Sequence, residues 1–469
     1  MNPQGNFDPQ DSYLTEHPDF GGQLVYVKEL AQAMSTRGHK IDIVTRKIQD
    51  KSWPEFSSDQ DSYPGFEENL RILRFSFGGK KFLKKEELWP HIPDLVDKML
   101  QFYGENQPDF ITSHYADGGY AAKLALELAG IPFSFTGHSL GAQKLDKLVL
   151  ANNSWSNLNE QFKFSKRIAA ERNSMKYAAK VFVSTEQERV DQYSHPLYQK
   201  AVDTVDGQKF EVIPPGVNET IFHQRLSSTD TRQASKLDAI PGLNEKPAIL
   251  VSSRLDKKKN IEGLVKAYSE SRALRNAASL VLCVRGIDDP KLDIFSLEKE
   301  EKEVLGNIID MIDSNNMASQ VYFLNISSQI ELAATYRYFA QLGSVFALTS
   351  VYEPFGLAPI EAAATGLVPI VTKNGGPADI FSNGTGILID PLCSKSIANG
   401  LMEGLDKHKE LSSAVVNHVN KKFSWNKTAE SYITAIDKIV STHIKSASTQ
   451  ESILDCEEEI ETYLTRRFA

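Results

Sequence analysis

The sequence predicts an α/β protein that is built from two domains with parallel sheets. Short runs of β-branched and aromatic residues recur along the chain, and they are separated by stretches long enough for a helix. Strands that are apolar throughout and alternate with helices are typical of parallel sheets covered on both faces. The predicted strands are 41–45, 70–75, 110–114, 133–136, 181–185, 210–213, 249–252, 280–284, 321–324, 345–348, 369–372 and 387–389.

The predicted boundary between the two domains lies near residue 215. Twelve strands exceed what one doubly wound sheet usually holds. The alternation of strands and helices breaks at Val212-Ile-Pro-Pro-Gly216, where two prolines and a glycine interrupt it. We therefore predict Rossmann-like domains over 1–214 and 215–440, followed by a helical segment over 441–469. Ligands of such sheets bind at the carboxyl ends of the strands, so two domains facing each other would share a deep cleft.

Composition excludes several classes of protein. The 469 residues are 41% hydrophobic and 24% charged, which is the balance of a folded chain rather than a disordered one. The formal net charge of 52 − 61 = −9 disfavours nucleic acid as a partner. No apolar run approaches the ~18 residues that span a membrane, and the N-terminus lacks the pattern of an export signal. Three widely spaced cysteines fit neither a metal pair nor a disulfide framework, so we predict a cytoplasmic protein without membrane partners.

The first predicted helix begins after Gly21-Gly22 and carries apolar residues at helical spacing until Gly38 ends it. A strand should precede this helix in a βαβ unit, but the residues before it show no strand pattern. Either the chain starts late or the sheet has lost a strand, and the sequence leaves both open.

The strongest motif follows the predicted strand 345–348 and contains two glutamates. Glu353 lies in the loop before a predicted helix, and Glu361 lies in the first turn of that helix. Gly356 permits a tight turn between them, and the amides of such a helix terminus bind phosphate. Both carboxylates can accept hydroxyl groups of a sugar or ribose, although Glu361 alone would equally well complement the helix dipole.

A second motif, Arg254 to Asn260, follows the predicted strand 249–252 and also leads into a helix. Arg254 offers a planar fork of donors and Lys259 a point charge, which together suit a diphosphate. Without the glutamate motif, this segment would be read as a solvated basic turn.

Taken together, these motifs resemble those of a known enzyme family. Glu353, Glu361, Arg254, Lys259 and the turn Asn374-Gly-Gly-Pro377 resemble the donor half of a retaining GT-B glycosyltransferase. The N-terminal half narrows the resemblance to the sucrose-phosphate synthases. The motifs that carry it are Asn2-Pro-Gln-Gly-Asn-Phe-Asp, His17-Pro-Asp-Phe-Gly-Gly-Gln-Leu, Glu86-Glu-Leu-Trp-Pro, Phe135-Thr-Gly-His-Ser-Leu-Gly-Ala-Gln-Lys144 and Val212-Ile-Pro-Pro-Gly-Val-Asn.

The resemblance implies a donor site for UDP-glucose in the second domain. Arg254 and Lys259 would neutralise the diphosphate, Glu361 would hold the ribose, and Glu353 would contact the glucose hydroxyls. Backbone amides at Gly22, Gly356 and Leu357 would also face the diphosphate. Because negative charge grows on the β-phosphate as UDP leaves, these groups would stabilise the transition state more than the ground state.

His138 follows a predicted strand, and the resemblance places it near the glucosyl ring. It joins Glu353, Arg254 and Lys259 as a predicted catalytic residue, although a lone histidine is more often structural. We do not predict it to be a general base. Retention without an evident nucleophile favours a front-side mechanism in which the departing phosphate oxygen accepts the proton.

The resemblance implies that fructose 6-phosphate is the acceptor, bound by the first domain. A phosphorylated acceptor calls for basic residues, which free fructose would not need. The predicted set of acceptor residues is Gly21, Gln23, Lys85, Tyr115, Ser139, Lys144 and Arg167.

No catalytic metal or tightly bound cofactor is predicted. The chain lacks an Asp-x-Asp pair at a strand end that is flanked by the helix pattern of metal-dependent sugar transfer, and Asp288-Asp289 precedes a proline, which favours a turn. Mg²⁺ is expected at most to stimulate the reaction, not to be required.

The predicted reaction is retaining transfer of glucose from UDP-glucose to fructose 6-phosphate. Alternatives are transfer to free fructose, a nucleotide-sugar 2-epimerase and a non-catalytic sensor. A dinucleotide oxidoreductase is disfavoured because no GxGxxG opens either half. The residues after Trp425 are too few for a fused phosphatase domain, so a separate sucrose-phosphate phosphatase is the expected partner. The GT-B resemblance favours a last helix that crosses back to the first domain.

Overall fold

The protein is described by a computed structural model, which covers residues 1–12, 22–150, 154–443 and 454–468. The chain forms two compact units. One consists of Met1–Pro214 together with Trp425–Ala469, and the other of Pro215–Ser424. Parallel strands alternate with helices in both units.

The strands of the first unit form two sheets within the described residues, with orders β1-β3-β2 and β4-β5-β6-β7. All neighbours are parallel except β2, which is antiparallel to β3. The strands are β1 (Ile41–Arg46), β2 (Gln60–Asp61), β3 (Leu70–Phe75), β4 (Ile111–His114), β5 (Phe133–Thr136), β6 (Lys180–Val183) and β7 (Phe210–Val212).

The first two residues lie between β1 and β4. The Met1 amino group donates to the Thr112 carbonyl of β4 (2.8 Å), and the His114 amide donates to the Met1 carbonyl (3.1 Å). On the other side, the Asn2 amide donates to the Val44 carbonyl of β1 (3.1 Å). Met1-Asn2 therefore occupies the strand position that precedes the first helix, and two residues are too few to produce a strand pattern. Burial lowers the pKa of the Met1 amino group to about 5.

Within the described residues, seven α-helices of the first unit lie between Met1 and Pro214. They are α1 (Gly22–Ser35), α2 (Ile92–Tyr103), α3 (Tyr115–Ala129), α4 (Gly141–Leu150), α5 (Trp155–Phe162), α6 (Phe164–Tyr177) and α7 (Glu186–Tyr193). The largest hydrophobic cluster joins α2, α3 and α6 to β4, β5 and β6.

The second unit contains one six-stranded parallel sheet with the order β10-β9-β8-β11-β12-β13. The strands are β8 (Ala248–Ser252), β9 (Ser279–Cys283), β10 (Val321–Leu324), β11 (Val345–Leu348), β12 (Val368–Thr372) and β13 (Ile387–Ile389). The helices are α8 (Ser228–Asp238), α9 (Ile261–Glu270), α10 (Arg272–Ala277), α11 (Pro290–Asp293), α12 (Lys299–Ser314), α13 (Gln329–Gln341), α14 (Leu357–Ala364), α15 (Gly376–Phe381), α16 (Ser394–Asp406) and α17 (His408–Lys422). The order of the strands reverses between β8 and β11, and such a switch point is where ligands of open α/β sheets bind.

The last two helices, α18 (Trp425–Thr442) and α19 (Glu457–Phe468), belong to the first unit. The predicted division at residue 440 differs here, because it counted α18 with the second domain. Trp425, Ala429 and Tyr432 of α18 pack with Tyr26 of α1 and Phe182 of β6, so the chain returns to the first unit at Trp425.

Candidate functional site

In the second unit, the candidate site lies at the switch point between β8 and β11. Two loops leave the carboxyl ends of these neighbouring strands, the β8 loop (253–260) and the β11 loop (349–356). Lys259 Nζ of the first loop lies 2.7 Å from Glu353 Oε2 of the second. Ser350 Oγ donates to the same carboxylate oxygen (3.1 Å). The topology therefore brings together a cation and a carboxylate that are 94 positions apart in the sequence.

Asn260 ties the two loops together. Its backbone adopts the left-handed conformation (φ 52°), and its side-chain amide donates to the carbonyls of Thr349 (3.2 Å) and Pro391 (2.7 Å). The Val351 amide donates to the Lys258 carbonyl (2.9 Å). These bonds hold the backbone on both sides of the Lys259–Glu353 pair.

The loop 373–375 and Gly376, the first residue of α15, pack directly on the backbone of Glu353. The Glu353 amide donates to the Asn374 carbonyl (3.2 Å), and the Gly376 amide donates to the Glu353 carbonyl (3.0 Å). Gly375 has φ 99°, and a Cβ there would lie 2.0 Å from the Glu353 carbonyl oxygen. Only glycine permits this approach, which explains the glycines of the Asn-Gly-Gly-Pro turn.

The remaining predicted donor residues of the second unit lie in these loops or on α14, and they differ in their exposure to solvent. Gly356 adopts φ 91°, and α14 begins immediately after it at Leu357. Glu361 is half-buried and is the fifth residue of α14. It therefore lies in the second turn, not in the first turn as predicted, because the left-handed Gly356 starts the helix before Pro359. Arg254 lies in the β8 loop and is exposed.

In the first unit, four of the predicted acceptor residues line one pocket. We call this the basic pocket; its lining residues are Lys85, Glu86, Trp89, Tyr115, Asp117, Lys144, Phe162 and Arg167. Lys85 belongs to a 3₁₀ turn, Lys85–Glu87, whereas Tyr115, Lys144 and Arg167 lie on α3, α4 and α6. Three cations therefore meet in one place on an acidic chain.

Arg167 is the buried centre of the basic pocket. Its guanidinium lies 4.7 Å from the centroid of the Tyr115 ring, its Nε donates to Glu171 Oε1 (3.0 Å), and one terminal nitrogen donates to the Ser139 carbonyl (2.8 Å). Burial alone would lower the pKa of Arg167, but Tyr115 and Glu171 outweigh it and raise the pKa above its usual value. Arg167 therefore stays charged, and its position is fixed by neighbours on three sides.

Glu171 and Phe162 support the pocket, and neither was predicted from the sequence. Glu171 accepts hydrogen bonds from the Gly141 amide at the start of α4 (2.9 and 3.0 Å) and from Tyr198. The Phe162 ring lies 4.2 Å from Lys144 Nζ. The i, i+4 spacing of Arg167 and Glu171 is visible in the sequence and could have suggested their pairing.

Asp117 is the one carboxylate of the basic pocket that is fully buried. The Gln4 amide donates to its Oδ2 (3.0 Å). Burial is the largest cause that raises the pKa of Asp117, to about 6. No spacing in the sequence indicated this residue, because its partner lies 113 positions away.

His138 lies in the loop between β5 and α4. Its backbone is in the left-handed region (φ 56°), and its Nε2 lies 3.0 Å from Nδ1 of His114. Burial lowers the pKa of His138 to about 4, and burial followed by His138 lowers that of His114 well below its ordinary value. Both rings are therefore neutral at pH 7. The next residue, Ser139, is exposed, and its carbonyl accepts from Arg167.

Gly22 and Gln23 form the start of α1, and neither is among the lining residues of the basic pocket. Gln23 is half-buried and Gly22 exposed. The predicted acceptor residue Gly21 lies outside the described residues.

Across residues 1–12, 22–150, 154–443 and 454–468, no group of three or more His, Cys, Asp and Glu side chains is arranged to hold a metal ion. Within the same ranges, no helix has the length and apolar character to cross a membrane. All three cysteines are free thiols, two of them buried.

Comparison with known proteins identifies the family. The profile of Glycosyltransferase Family 4 matches residues 20–220, and that of Glycosyl transferases group 1 matches residues 234–441. A probable sucrose-phosphate synthase of Thermosipho melanesiensis is 44% identical over 440 residues, which are 93% of this chain and 96% of the relative. The chain belongs to the sucrose-phosphate synthase family. It is thus a glycosyltransferase, as predicted.

The family also includes longer plant members. Sucrose-phosphate synthase 1 of Arabidopsis thaliana is 32% identical over 494 residues, which cover 92% of this chain and 47% of the relative. The chain therefore spans about half the length of the plant relatives that it matches.

Solved structures of the same fold confirm the predicted α/β class. A sucrose-phosphate synthase from Thermosynechococcus elongatus superimposes with a TM-score of 0.68 at 22% identity, covering 90% of this chain and 94% of the other. Anabaena HepE, solved in complex with UDP and glucose, gives a TM-score of 0.60 at 17% identity, covering 89% and 96%. The chain has the two-domain GT-B fold. The predicted deep cleft remains a prediction.

Proposed function

We propose that the protein transfers glucose from UDP-glucose to fructose 6-phosphate with retention at the anomeric carbon, giving sucrose 6-phosphate and UDP. The observation that supports this acceptor most strongly is the basic pocket, where Lys85, Lys144 and Arg167 converge. A near-dianionic phosphate can accept hydrogen bonds from all three of these side chains, whereas an unphosphorylated sugar carries no charge for them to bind. Hydrogen bonds to charged groups contribute about 1.5 to 3 kcal/mol each.

The donor site of this proposal lies in the loops after β8 and β11. Lys259 and Arg254 would bind the diphosphate together with the amides at Gly356, Leu357 and Gly22. Lys259 Nζ lies 2.7 Å from Glu353 Oε2, and we propose that UDP-glucose separates this pair when it binds. The diphosphate would then engage Lys259 while the glucose hydroxyls engage Glu353 and the ribose engages Glu361.

The proposed chemistry is a front-side displacement. The bond between the anomeric carbon of glucose and the β-phosphate oxygen breaks, and the acceptor hydroxyl oxygen forms its bond to the same face of that carbon. The acceptor proton passes to the departing phosphate oxygen. Lys259 and Arg254 stabilise the charge that develops on that phosphate. His138 is neutral at pH 7, so it would contact the glucosyl group rather than supply a charge.

The test is the identity of the product. The purified full chain is incubated with UDP-glucose and fructose 6-phosphate, with UDP-glucose and fructose, and with UDP-glucose alone, and the products are analysed by NMR. The proposal requires sucrose 6-phosphate with an α-glucosyl linkage from the first mixture. Sucrose from the second mixture at equal rate would favour transfer to free fructose, and conversion of UDP-glucose without an acceptor would favour a 2-epimerase.

Two further expectations accompany the proposed reaction. The phosphate of the product would be removed by a separate sucrose-phosphate phosphatase, and Mg²⁺ would stimulate turnover without being required. Assays with EDTA and with added Mg²⁺ test the second point. A cytoplasmic location stays a prediction of the sequence.

A further inference from the structure

The C-terminal helix α19 packs on the three helices that carry one side of the basic pocket. Lys144 lies on α4, Phe162 on α5 and Arg167 on α6. Ile460 of α19 and Cys456, which precedes it, are both buried in the hydrophobic cluster of those helices. Described residues of α19 do not line the pocket themselves.

The first polar contact of α19 is made to α4. Tyr463 Oη donates to Asp146, with both carboxylate oxygens at 2.9 Å. Asp146 Oδ2 also lies 3.3 Å from Nε2 of His195 and 3.2 Å from a guanidinium nitrogen of Arg467. Asp146 is 8% exposed, and a buried carboxylate requires such partners. Two of its three partners come from α19, and Asp146 lies two positions after Lys144 on α4.

The second polar contact is made to the turn between α5 and α6. Asn159 on α5 donates through Nδ2 to Glu457 Oε1 (3.1 Å) and accepts through Oδ1 from the Ser165 amide (2.9 Å). The Cys456 thiol donates to the Ser165 carbonyl (3.2 Å). Phe162, whose ring lies under Lys144, is the last residue of α5 before this turn, and the helix that carries Arg167 begins just after the turn, at Phe164.

We propose that α19 positions the acceptor site. Tyr463, acting through Asp146, and Glu457, acting through Asn159, hold α4 and the α5–α6 turn so that Lys144 and Arg167 meet the same phosphate group. These are positioning residues, because they contact the supports of the pocket and not its lining. The inference rests on the proposed function, since it assigns the helix to the binding of fructose 6-phosphate. Small displacements of converging charges weaken binding strongly, because each hydrogen bond depends on distance and direction.

The test uses Tyr463→Phe in the full chain, which removes one hydroxyl and keeps the shape of the ring. The loss of the hydroxyl's hydrogen bonds to Asp146 and His195 predicts a rise of about 3- to 10-fold in KM for fructose 6-phosphate, with KM for UDP-glucose within about twofold of wild type. Thr465→Ala is the matched control, because it also removes a hydroxyl from α19, and that hydroxyl donates to the Glu461 carbonyl of the same helix. Asp146→Asn should reproduce the effect of Tyr463→Phe and serves if the first variant does not fold.

The ratio of the two KM values separates positioning from stability. An unchanged ratio in both Tyr463→Phe and Asp146→Asn, or an equal rise in both KM values, would overturn the positioning role and leave the proposed function intact. A wild-type chain that transfers no glucose to fructose 6-phosphate would overturn the proposed function together with this inference. Melting temperatures of all variants show which losses come from unfolding.

Discussion

At the scale of single residues, the basic pocket concentrates positive charge on a chain with a net charge of −9. Arg167 is buried and held by Glu171, Tyr115 and the Ser139 carbonyl. Lys85 and Lys144 are less enclosed, and a change to either should disturb the fold less. They are therefore the residues at which recognition of a phosphate can be measured separately from folding.

Lys85→Ala and Lys144→Ala should each raise KM for fructose 6-phosphate about 10- to 100-fold, because each removes a charged hydrogen bond to phosphate. Transfer to free fructose, where it is detected, should change less than about threefold. Steady-state kinetics with both acceptors measure the difference. Lys84→Ala is the control, since Lys84 is exposed and does not line the pocket. Equal losses with both acceptors would contradict a phosphate-binding role.

In His138→Gln, the free energy of unfolding should depend less steeply on pH between pH 6.5 and 4 than it does in wild type. The pKa of His138 is about 4 in the folded chain and about 6.5 in an unfolded one. The unfolded state therefore binds this proton first as the pH falls, so His138 costs the folded state up to about 1.4 kcal/mol per pH unit between pH 6.5 and 4. Burial raises the pKa of Asp117 to about 6 and that of Glu188 to about 7, so these two groups stabilise the folded state as the pH falls. Wild type and His138→Gln both contain them, so their contributions cancel in the comparison.

Urea unfolding of wild type and His138→Gln at several pH values between 4 and 7 measures this difference. The unfolding free energy of wild type should fall relative to that of the variant as the pH is lowered from 6.5 to 4. Curves that stay parallel over the whole range would show that His138 is not held neutral by the fold.

At the scale of elements, the conformation of the β11 loop depends on a glycine at position 375. Gly375→Ala would place a methyl group against the Glu353 carbonyl oxygen, at 2.0 Å without relaxation, so the β11 loop must move and Glu353 with it. We expect a rise of at least about tenfold in KM for UDP-glucose, equivalent to about 1.4 kcal/mol. Donor kinetics at saturating acceptor measure it.

Gly384→Ala is the control for backbone strain. Gly384 also has a positive φ (73°), but a Cβ there would meet no atom within 4 Å. This variant should lose stability only by the strain of a left-handed residue, about 1 to 2 kcal/mol, with an unchanged KM. A similar donor KM in the two variants would indicate that the contact with Glu353 has no role in donor binding.

Prediction from the sequence was most accurate for the buried apolar strands and least accurate for very short strand-like segments. The twelve predicted strands are all present, each within two residues of its predicted ends, because buried parallel strands are apolar along their whole length. Two strand-like pieces gave no pattern. Met1-Asn2 and β2 (Gln60–Asp61) are too short to show one, and β2 lies at a sheet edge.

At the scale of the whole molecule, the first unit is formed by two separate stretches of the chain, Met1–Pro214 and Trp425–Ala469. Helix α18 follows the second unit without a break in the sequence, yet it completes the core of the first. Tyr432 Oη lies 2.8 Å from Tyr26 Oη and 3.1 Å from Thr136 Oγ1, and the Thr428 hydroxyl donates to the Pro214 carbonyl (2.8 Å).

A fragment of residues 1–214 should therefore not fold cooperatively alone. It would expose the apolar face that Trp425 and Tyr432 cover, and burial of one such side chain contributes about 1.5 to 3 kcal/mol against a total stability of about 5 to 15 kcal/mol. Coexpression with 425–469 should restore a cooperative thermal transition. The fragment 215–424 is the control, because it contains its complete six-stranded sheet. A cooperative transition of 1–214 alone would contradict this account.

Local patterns in the amino-acid order were sufficient for the α/β class, the boundary near residue 215 and the loops that carry Arg254, Lys259 and Glu353. Each of these depends on neighbours in the chain, such as apolar runs, prolines and strand ends. Three contacts could not be predicted in this way, namely the Lys259–Glu353 pair, the support of Arg167 by Ser139 and the burial of Asp117 against Gln4. They join residues that lie 28 to 113 positions apart, and such partners become neighbours only when strands from distant parts of the chain pair in one sheet.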